Sequence, residues 1–269
     1  MLIFGGIRSS GSPEKIRPLD DVIVAVTDLT DAGRKQPIPS PQNPVYFIGI
    51  NAGFLRYNGI AMGGDPPPEE KQMLRVITQV LANQGFRPAD TDHPATQVIV
   101  CSWGVIGTQG RNLLEPGPGI QFLGGERFGL VGEDVCGDLL RRGFHSGAAD
   151  TVYEMSQSNL YGVLFRAYDL HAAEAGEQLQ LWETRLACSS PGNSLTQALP
   201  RLVVSGQHAI GRETIEPIVQ NAARSREAWV EIGESTVVEY LDCAPASTAK
   251  ESGPDSSRPA VPSPEPTAK

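Results

Sequence analysis

Apolar and polar positions alternate most clearly over residues 159–188. Tyr161, Val163, Phe165 and Ala167 fall at every second place, the period of a strand with one buried face. Residues 169–176 then give a polar connection that ends in Gly176. Leu179, Leu181, Trp182, Thr184, Leu186 and Cys188 form a second apolar run. Two such runs joined by a short glycine-containing link predict an antiparallel hairpin.

The same patterning places the other elements. Residues 21–26 (DVIVAV) and 45–50 (VYFIGI) are rich in β-branched and aromatic side chains and predict strands, with a Pro-rich connector over 30–44. Pro66, Pro67 and Pro68 followed by Glu69 and Glu70 predict a helix start, because proline suits a first turn and carboxylates favour the positive helix end. Met73, Ile77, Val80 and Leu81 then lie on one helical stripe, and Gly85 stands where a C-terminal cap belongs. Residues 96–103 predict a buried strand, completing a strand–helix–strand unit. Short helices are expected near 133–142 and 148–157. Leu195, Ala198, Leu199, Leu202 and Val203 form another stripe behind a cap at Asn193-Ser194, with Pro200 expected to kink or divide it. Residues 213–224 read as a helix, and 228–241 as a hairpin turning at Gly233-Glu234-Ser235.

These elements predict a single α+β domain over residues 21–243, with a mixed or mainly antiparallel sheet and helices packed on one face. Residues 1–20 are polar and turn-rich, which predicts a loose arm. Residues 244–269 contain six prolines, three acidic and three basic residues, and only Val261 as an apolar side chain larger than alanine's. Such a segment buries too little surface to fold, so a disordered tail is expected. Nine glycines fall within 104–132, which predicts a long loop of the kind that is functional or mobile. It opens the insertion 104–158 between the two best-patterned regions.

Charge and composition narrow the functional classes. The chain has 269 residues, 40% of them hydrophobic, which is enough for a substantial core. Its net charge is -9, with no basic cluster of five or more. That balance disfavours binding to nucleic acid or to an anionic membrane surface. No apolar run reaches the roughly 18 residues of a membrane span. Residues 1–7 are apolar but lack a charged n-region and a cleavage site. No cysteine precedes Cys101, so membrane association through a lipid would need an anchor upstream of Met1. A start at Met1 predicts a cytoplasmic protein; a start further upstream would leave room for a signal sequence. Cys101, Cys136, Cys188 and Cys243 are widely spaced with no C-x-x-C pair, which argues against structural zinc. Four cysteines allow two bridges in an oxidising compartment, but Cys101 and Cys188 sit within apolar strand patterns and read as core residues.

Candidate chemistry is sparse. Residues 104–110 (GVIGTQG) follow a strand, but they match no phosphate-binding glycine pattern and open no helix. Asp90, Asp92 and His93 cluster possible ligands between Pro88 and Pro94, where aspartates serve turns through their own hydrogen bonds. His145, Ser146 and Asp150 suggest a hydrolase, but no G-x-S-x-G is present, and Ser146 or Asp150 serves as well as a helix cap. Cys101 is a second nucleophile candidate, in a core-like strand that does not favour a thiolate. Glu69 and Glu70 are adjacent on a helix, so they point in different directions. Trp103 and Trp182 read as core residues. No residue is therefore assigned as catalytic, cofactor-binding or metal-ligating, and no cofactor is implied.

Two stretches together resemble a known group. The first is a helix from Met73 leading through Asn83-Gln84-Gly85-Phe86 and a polar loop to the strand Val98-Ile99-Val100. The second is the hairpin, with Tyr168-Asp169 entering the turn and Leu181-Trp182 on the return. This arrangement is similar to a broad family of uncharacterised bacterial envelope lipoproteins, a domain of unknown function. The resemblance implies a periplasmic or outer-membrane-associated α+β domain with no established catalytic residues. The chain departs from the family pattern in lacking the signal peptide and the lipid-bearing cysteine, and in carrying the insertion. The expected function is non-enzymatic, through protein–protein contact, self-association or assembly. The alternatives are a small-ligand binding module closed by the 104–132 loop, and a hydrolase-like enzyme using His145 and Ser146 or Cys101.

Overall fold

A computed structural model describes residues 2–4, 7–9, 14–16, 19, 21–57, 65–107, 118–125, 147–221, 230–232 and 235–237. The predicted hairpin lies at its centre. Strand β8 (Leu160–Asp169) pairs antiparallel with β9 (Gln180–Ser189). The connection includes a one-turn helix, α5 (Leu170–Glu174), capped by the Asp169 carboxylate on Ala172 N. On the outer side of β8 lies β7 (Gln97–Ile106), antiparallel to it and parallel to β5 (Val45–Tyr57). On the outer side of β9 lies β4 (Val22–Leu29), followed by β10 (Ile218–Asn221). With β1 (Leu2–Phe4) on β5, the order is β1-β5-β7-β8-β9-β4-β10, and β6 (Phe86–Pro88) also pairs with β5. This is a mixed sheet in an α+β domain.

Alternation divides the apolar side chains between two faces. Ile23, Ala25, Phe47, Ile99, Cys101, Trp103, Val163, Phe165, Leu186 and Cys188 point to one side, where α2 (Glu70–Asn83) and α6 (Leu195–Ser205) cover them. Met73, Val76, Ile77, Val80 and Leu81 of α2 are completely buried, as are Leu199, Leu202 and Val203 of α6. Each such side chain contributes about 1.5–3 kcal/mol. Two residues of β9, Leu181 and Trp182, enter this core side by side because the β8–β9 register shifts between Ala167 and Tyr168.

Of the two outcomes expected at Pro200, division does not occur: α6 runs unbroken through it. The buried side chains on both sides of Pro200 hold the helix in place despite the missing N–H. Gly85 ends α2 as expected, at φ 89°. A side chain there would meet the backbone of Ser40, with a Cβ 2.3 Å from Ser40 N.

The opposite face adds to the expected single helix layer. Val24, Val26, Ile106, Leu160 and Ala187 are apolar on that side too, and they are covered by α3 (Pro118–Phe122) and α4 (Gly147–Ser156). Beyond this smaller core the face carries a charged chain. Asp28 and Glu183 both accept from Arg185, at 2.5 and 2.6 Å, and Glu183 also accepts from Arg166 at 2.5 Å.

Several end segments differ from the sequence reading. Residues 1–20, expected as a loose arm, include β1, β2 (Ile7–Ser9) and β3 (Glu14–Ile16). Residues 228–241, expected as a hairpin, supply β11 (Val230–Ile232) and β12 (Ser235–Val237), which pair with β3 and β2 and not with each other. Residues 213–221 do not form a helix: Thr214 bonds into the sheet through Thr27, Pro217 cannot donate a helical hydrogen bond, and β10 follows. The helix expected near 133–142 and the tail 244–269 lie outside the described residues.

Candidate functional site

Two regions of the scaffold carry features beyond packing. The first lies where β5 and β7 end. β5 contains a bulge at Asn51–Gly53: Asn51 pairs with Cys101, Gly53 with Ser102, and Ala52 is the extra, exposed residue. Gly53 adopts φ 78°, and its N–H donates to the Asn51 side chain at 2.8 Å. The bulge turns Phe54 back onto the core side, beside Trp103. Asn51 Nδ2 donates to Glu70 Oε1 at 2.5 Å, which fixes the start of α2 over the Cys101 row.

The start of α6 is fixed nearby. Tyr161 donates to the Asn193 carbonyl at 3.1 Å, and Asn193 donates to Asp21 at 2.6 Å. The Asp65 carboxylate accepts the first N–H of the helix, from Leu195, at 3.1 Å, and Thr196 donates to the Pro66 carbonyl at 2.6 Å. Ser194 occupies the N-cap position but makes no side-chain cap bond; the cap comes from Asp65. Burial, together with the charge of Asp65, raises the Tyr161 phenol above its ordinary value.

The candidate nucleophile Cys101 faces this region but is not primed. It is fully buried, and burial, reinforced by the Glu70 charge, pushes its thiol up to about 12. A reactive cysteine needs the opposite environment. Cys188 is shifted in the same direction, mainly by burial. Both are free thiols. His145, Ser146, Cys136 and Cys243 lie outside the described residues, and Asp150 is an exposed residue of the first turn of α4. The hydrolase reading therefore gains no assembled residues.

Asp90 behaves as a turn residue. Its Oδ1 accepts from Asp92 N and His93 N at 3.0 and 2.8 Å, and lies 2.9 Å from His93 Nδ1. The His93 contact chiefly holds the Asp90 carboxyl below the usual carboxylate range. The His93 ring stacks on Tyr46 at 4.5 Å and 9°. Among the described residues no group of three His, Cys, Asp or Glu side chains could hold a metal ion. No helix among them is long and apolar enough to cross a membrane.

The second region is the opposite end of the sheet. Strands β5, β6, β7, β9 and β10 all start there, since β5 is parallel to β6 and β7 and the pairs β7–β8, β8–β9, β9–β4 and β4–β10 are antiparallel. Ile38, Leu179 and Ile215 precede β5, β9 and β10, and are 75%, 43% and 87% exposed. They are the large apolar side chains most open to solvent among the described residues, and all three lie on loops at one end. These loops are firmly held. Thr30 caps α1 (Asp31–Arg34) through Gly33 N and donates to Gln180 O. Arg34 joins Glu213 at 2.5 Å, and Thr214 is bonded to Thr27.

Sequence reasoning missed the bulge and the buried threonines. The bulge had a signal, Asn51-Ala52-Gly53 continuing an apolar strand, since glycine inside a strand marks irregular pairing. The threonines had none, because their partners are more than 150 residues away.

No protein-family description and no curated protein matches the chain. Among solved structures it aligns loosely with a PDZ domain protein from Parabacteroides distasonis, at 11% identity and a TM-score of 0.37, over 78% of this chain and 39% of that one. It thus spans about two fifths of that protein's length. It also aligns with a PelC dodecamer from Paraburkholderia phytofirmans, at 11% identity and a TM-score of 0.30, over 71% of this chain and 99% of that one. Likenesses this loose set neither its family nor its function.

Proposed function

We propose that this protein is a non-catalytic interaction module that binds another protein, or assembles, through the loops at the start of β5, β9 and β10. The observation that carries the reading is the exposure of Ile38, Leu179 and Ile215 on loops at that end. Exposed apolar side chains cost solubility and gain value when a partner covers them. Loops held on a rigid sheet are the usual carriers of recognition, and their anchoring lowers the ordering cost of binding.

The test uses the full chain expressed in its own cells, with Ile38→Ser, Leu179→Ser and Ile215→Ser combined. The substituted positions are exposed, so the melting temperature should stay within a few degrees of wild type. Cross-linking and mass spectrometry should find a partner, or a second copy, whose link disappears in the variant. Identical links in both proteins would refute the assignment of this end.

Envelope association belongs to the same proposal and rests on the resemblance read from the sequence. The intact mass of the native protein, taken without reduction, tests it. An acylated or processed N-terminus would support the envelope, and an unmodified mass with four free thiols would oppose it.

A further inference from the structure

The sheet ends differently on its two sides. The outer edge of β5 is taken by β6 along residues 45–47 and by β1 along residues 49–51. On the other side β10 is the last strand, and among the described residues no strand lies beyond it. In an antiparallel pair, alternate residues turn both backbone groups to the partner, and the residues between turn theirs outward. Two of the four residues of β10 therefore present N–H and C=O groups at its outer edge. Such an edge is a template for another strand unless charge, proline or a cover blunts it. Ile218, Val219, Gln220 and Asn221 carry no charge, and Pro217 stands before the strand and not within it. Apolar side chains are also incompletely covered here on both faces. Ile218 is half-buried against the main core and Val219 against the smaller one. Val22, opposite Asn221, and Tyr153 of α4, the helix that lies against β10, are half-buried in the same smaller core.

We propose that β10 pairs with β10 of a second copy of this chain, antiparallel about a two-fold axis, so that one sheet runs through both molecules. Symmetry restricts the register. Opposite residues of an antiparallel pair point to the same face. Val219 and Gln220 point to opposite faces, so the axis passes beside one residue and not between two. Centred on Val219, the pairing sets Val219 against its own counterpart and Ile218 against Gln220 of the other copy. Centred on Gln220, it would bring together two amides, and Gln220 is already bonded to His208. The Val219 centre is therefore favoured, because the two valines meet on the face of the smaller core and each covers the half-buried rim of the other. An isologous contact needs a patch that complements itself, and here apolar meets apolar with no like charges opposed. Elsewhere a second copy is less welcome, since the chain carries a net charge of -9. The contact uses the side of the sheet and not the loops that carry Ile38 and Leu179, so it does not depend on recognition by those loops.

Sedimentation equilibrium of the purified full-length protein, from about 1 μM to about 1 mM, tests this. A seam this short predicts a reversible dimer with a dissociation constant on the order of 10–100 μM. Val219→Lys sets like charges opposite each other and should leave a folded monomer, with folding checked by circular dichroism. Should that variant not fold, Val219→Cys carries the test. Directly opposite residues lie within reach of a disulfide, so oxidation should give a covalent dimer well above the wild-type background, while Gln220→Cys should not. The dimer should survive Ile38→Ser combined with Leu179→Ser. A monomer across the whole range overturns the inference. So does a dimer unchanged by Val219→Lys, a dimer lost with the two loop substitutions, or equal cross-linking at positions 219 and 220.

Discussion

The hydroxyl of Thr184 donates to that of Thr27 across 2.7 Å, joining β9 to β4 inside the core. Thr27 sets the direction, because its own proton goes to the Ala209 carbonyl at 2.6 Å. Thr184 also accepts from Gly211 N at 3.1 Å, and Thr214 accepts from Thr27 N at 3.0 Å. The sheet thereby holds the 206–217 segment, which carries Ile215, by side chains as well as backbone.

Replacing Thr184 by Val keeps the shape but leaves the Gly211 N–H without its acceptor. The expected cost is about 1–3 kcal/mol, or roughly 2–4 °C of melting temperature for each kcal/mol. Denaturant unfolding checks it. A variant as stable as wild type would mean that the network adds nothing.

Gly85 and Gly176 separate two effects of a side chain at positive φ. Both lie near φ 80–90°, at 89° and 82°, where a Cβ costs about 1 kcal/mol or more. Nothing lies within 4 Å of a Cβ at Gly176, whereas one at Gly85 meets the Ser40 backbone. Gly176→Ala should therefore lose about 1–2 kcal/mol, and Gly85→Ala distinctly more. Equal losses in paired unfolding curves would remove the Ser40 contact from the explanation.

Cys101 should resist alkylation in the native protein and react once denaturant is added. Peptide mapping after iodoacetamide treatment at pH 8 reads this directly, and rapid native labelling would contradict the burial. A pH effect has the same origin. The folded-state thiol titrates higher than the unfolded one, so the stability it confers is complete below the ordinary thiol value of 9.0 and is lost as pH rises toward about 12. Cys101→Ala should weaken that alkaline loss.

His208 works in the opposite direction. Burial, with Arg212 adding a like charge, lowers its folded value below the ordinary 6.5. The neutral ring is favoured in the folded state, so its contribution is present above pH 6.5 and falls away as the solution is acidified. His208→Gln should flatten urea stability between neutral and mildly acidic pH. An unchanged slope would show that other groups govern acid sensitivity.

What the sequence revealed followed the range of each signal. The β8–β9 hairpin and α2 were legible because their periodicity is local: Tyr161 to Ala167 alternate, and Met73 to Leu81 recur on one stripe. Pro200 did not divide α6, because local helix chemistry was outweighed by the buried side chains around it. Residues 213–221 misled because Thr214 takes its partner from Thr27, far away in the chain. Strands β11 and β12 looked like partners because they are neighbours in sequence, but each pairs with an N-terminal strand. Trp103 read as a core residue and is one.

The pairing of early strands with late ones bears on how the protein is made. β4 emerges before β5 and β7, but its neighbours are β9 and β10, and β2 and β3 wait for β12 and β11. On the ribosome, β5, α2 and β7 can associate as soon as they appear, and the β8–β9 hairpin can add to them. β4 must remain unpaired until β9 has been synthesised, with an edge open to other chains throughout that interval. A pause in translation before residue 180 would therefore lengthen the exposure of a strand whose Ile23, Val24, Ala25 and Val26 are all buried in the finished fold.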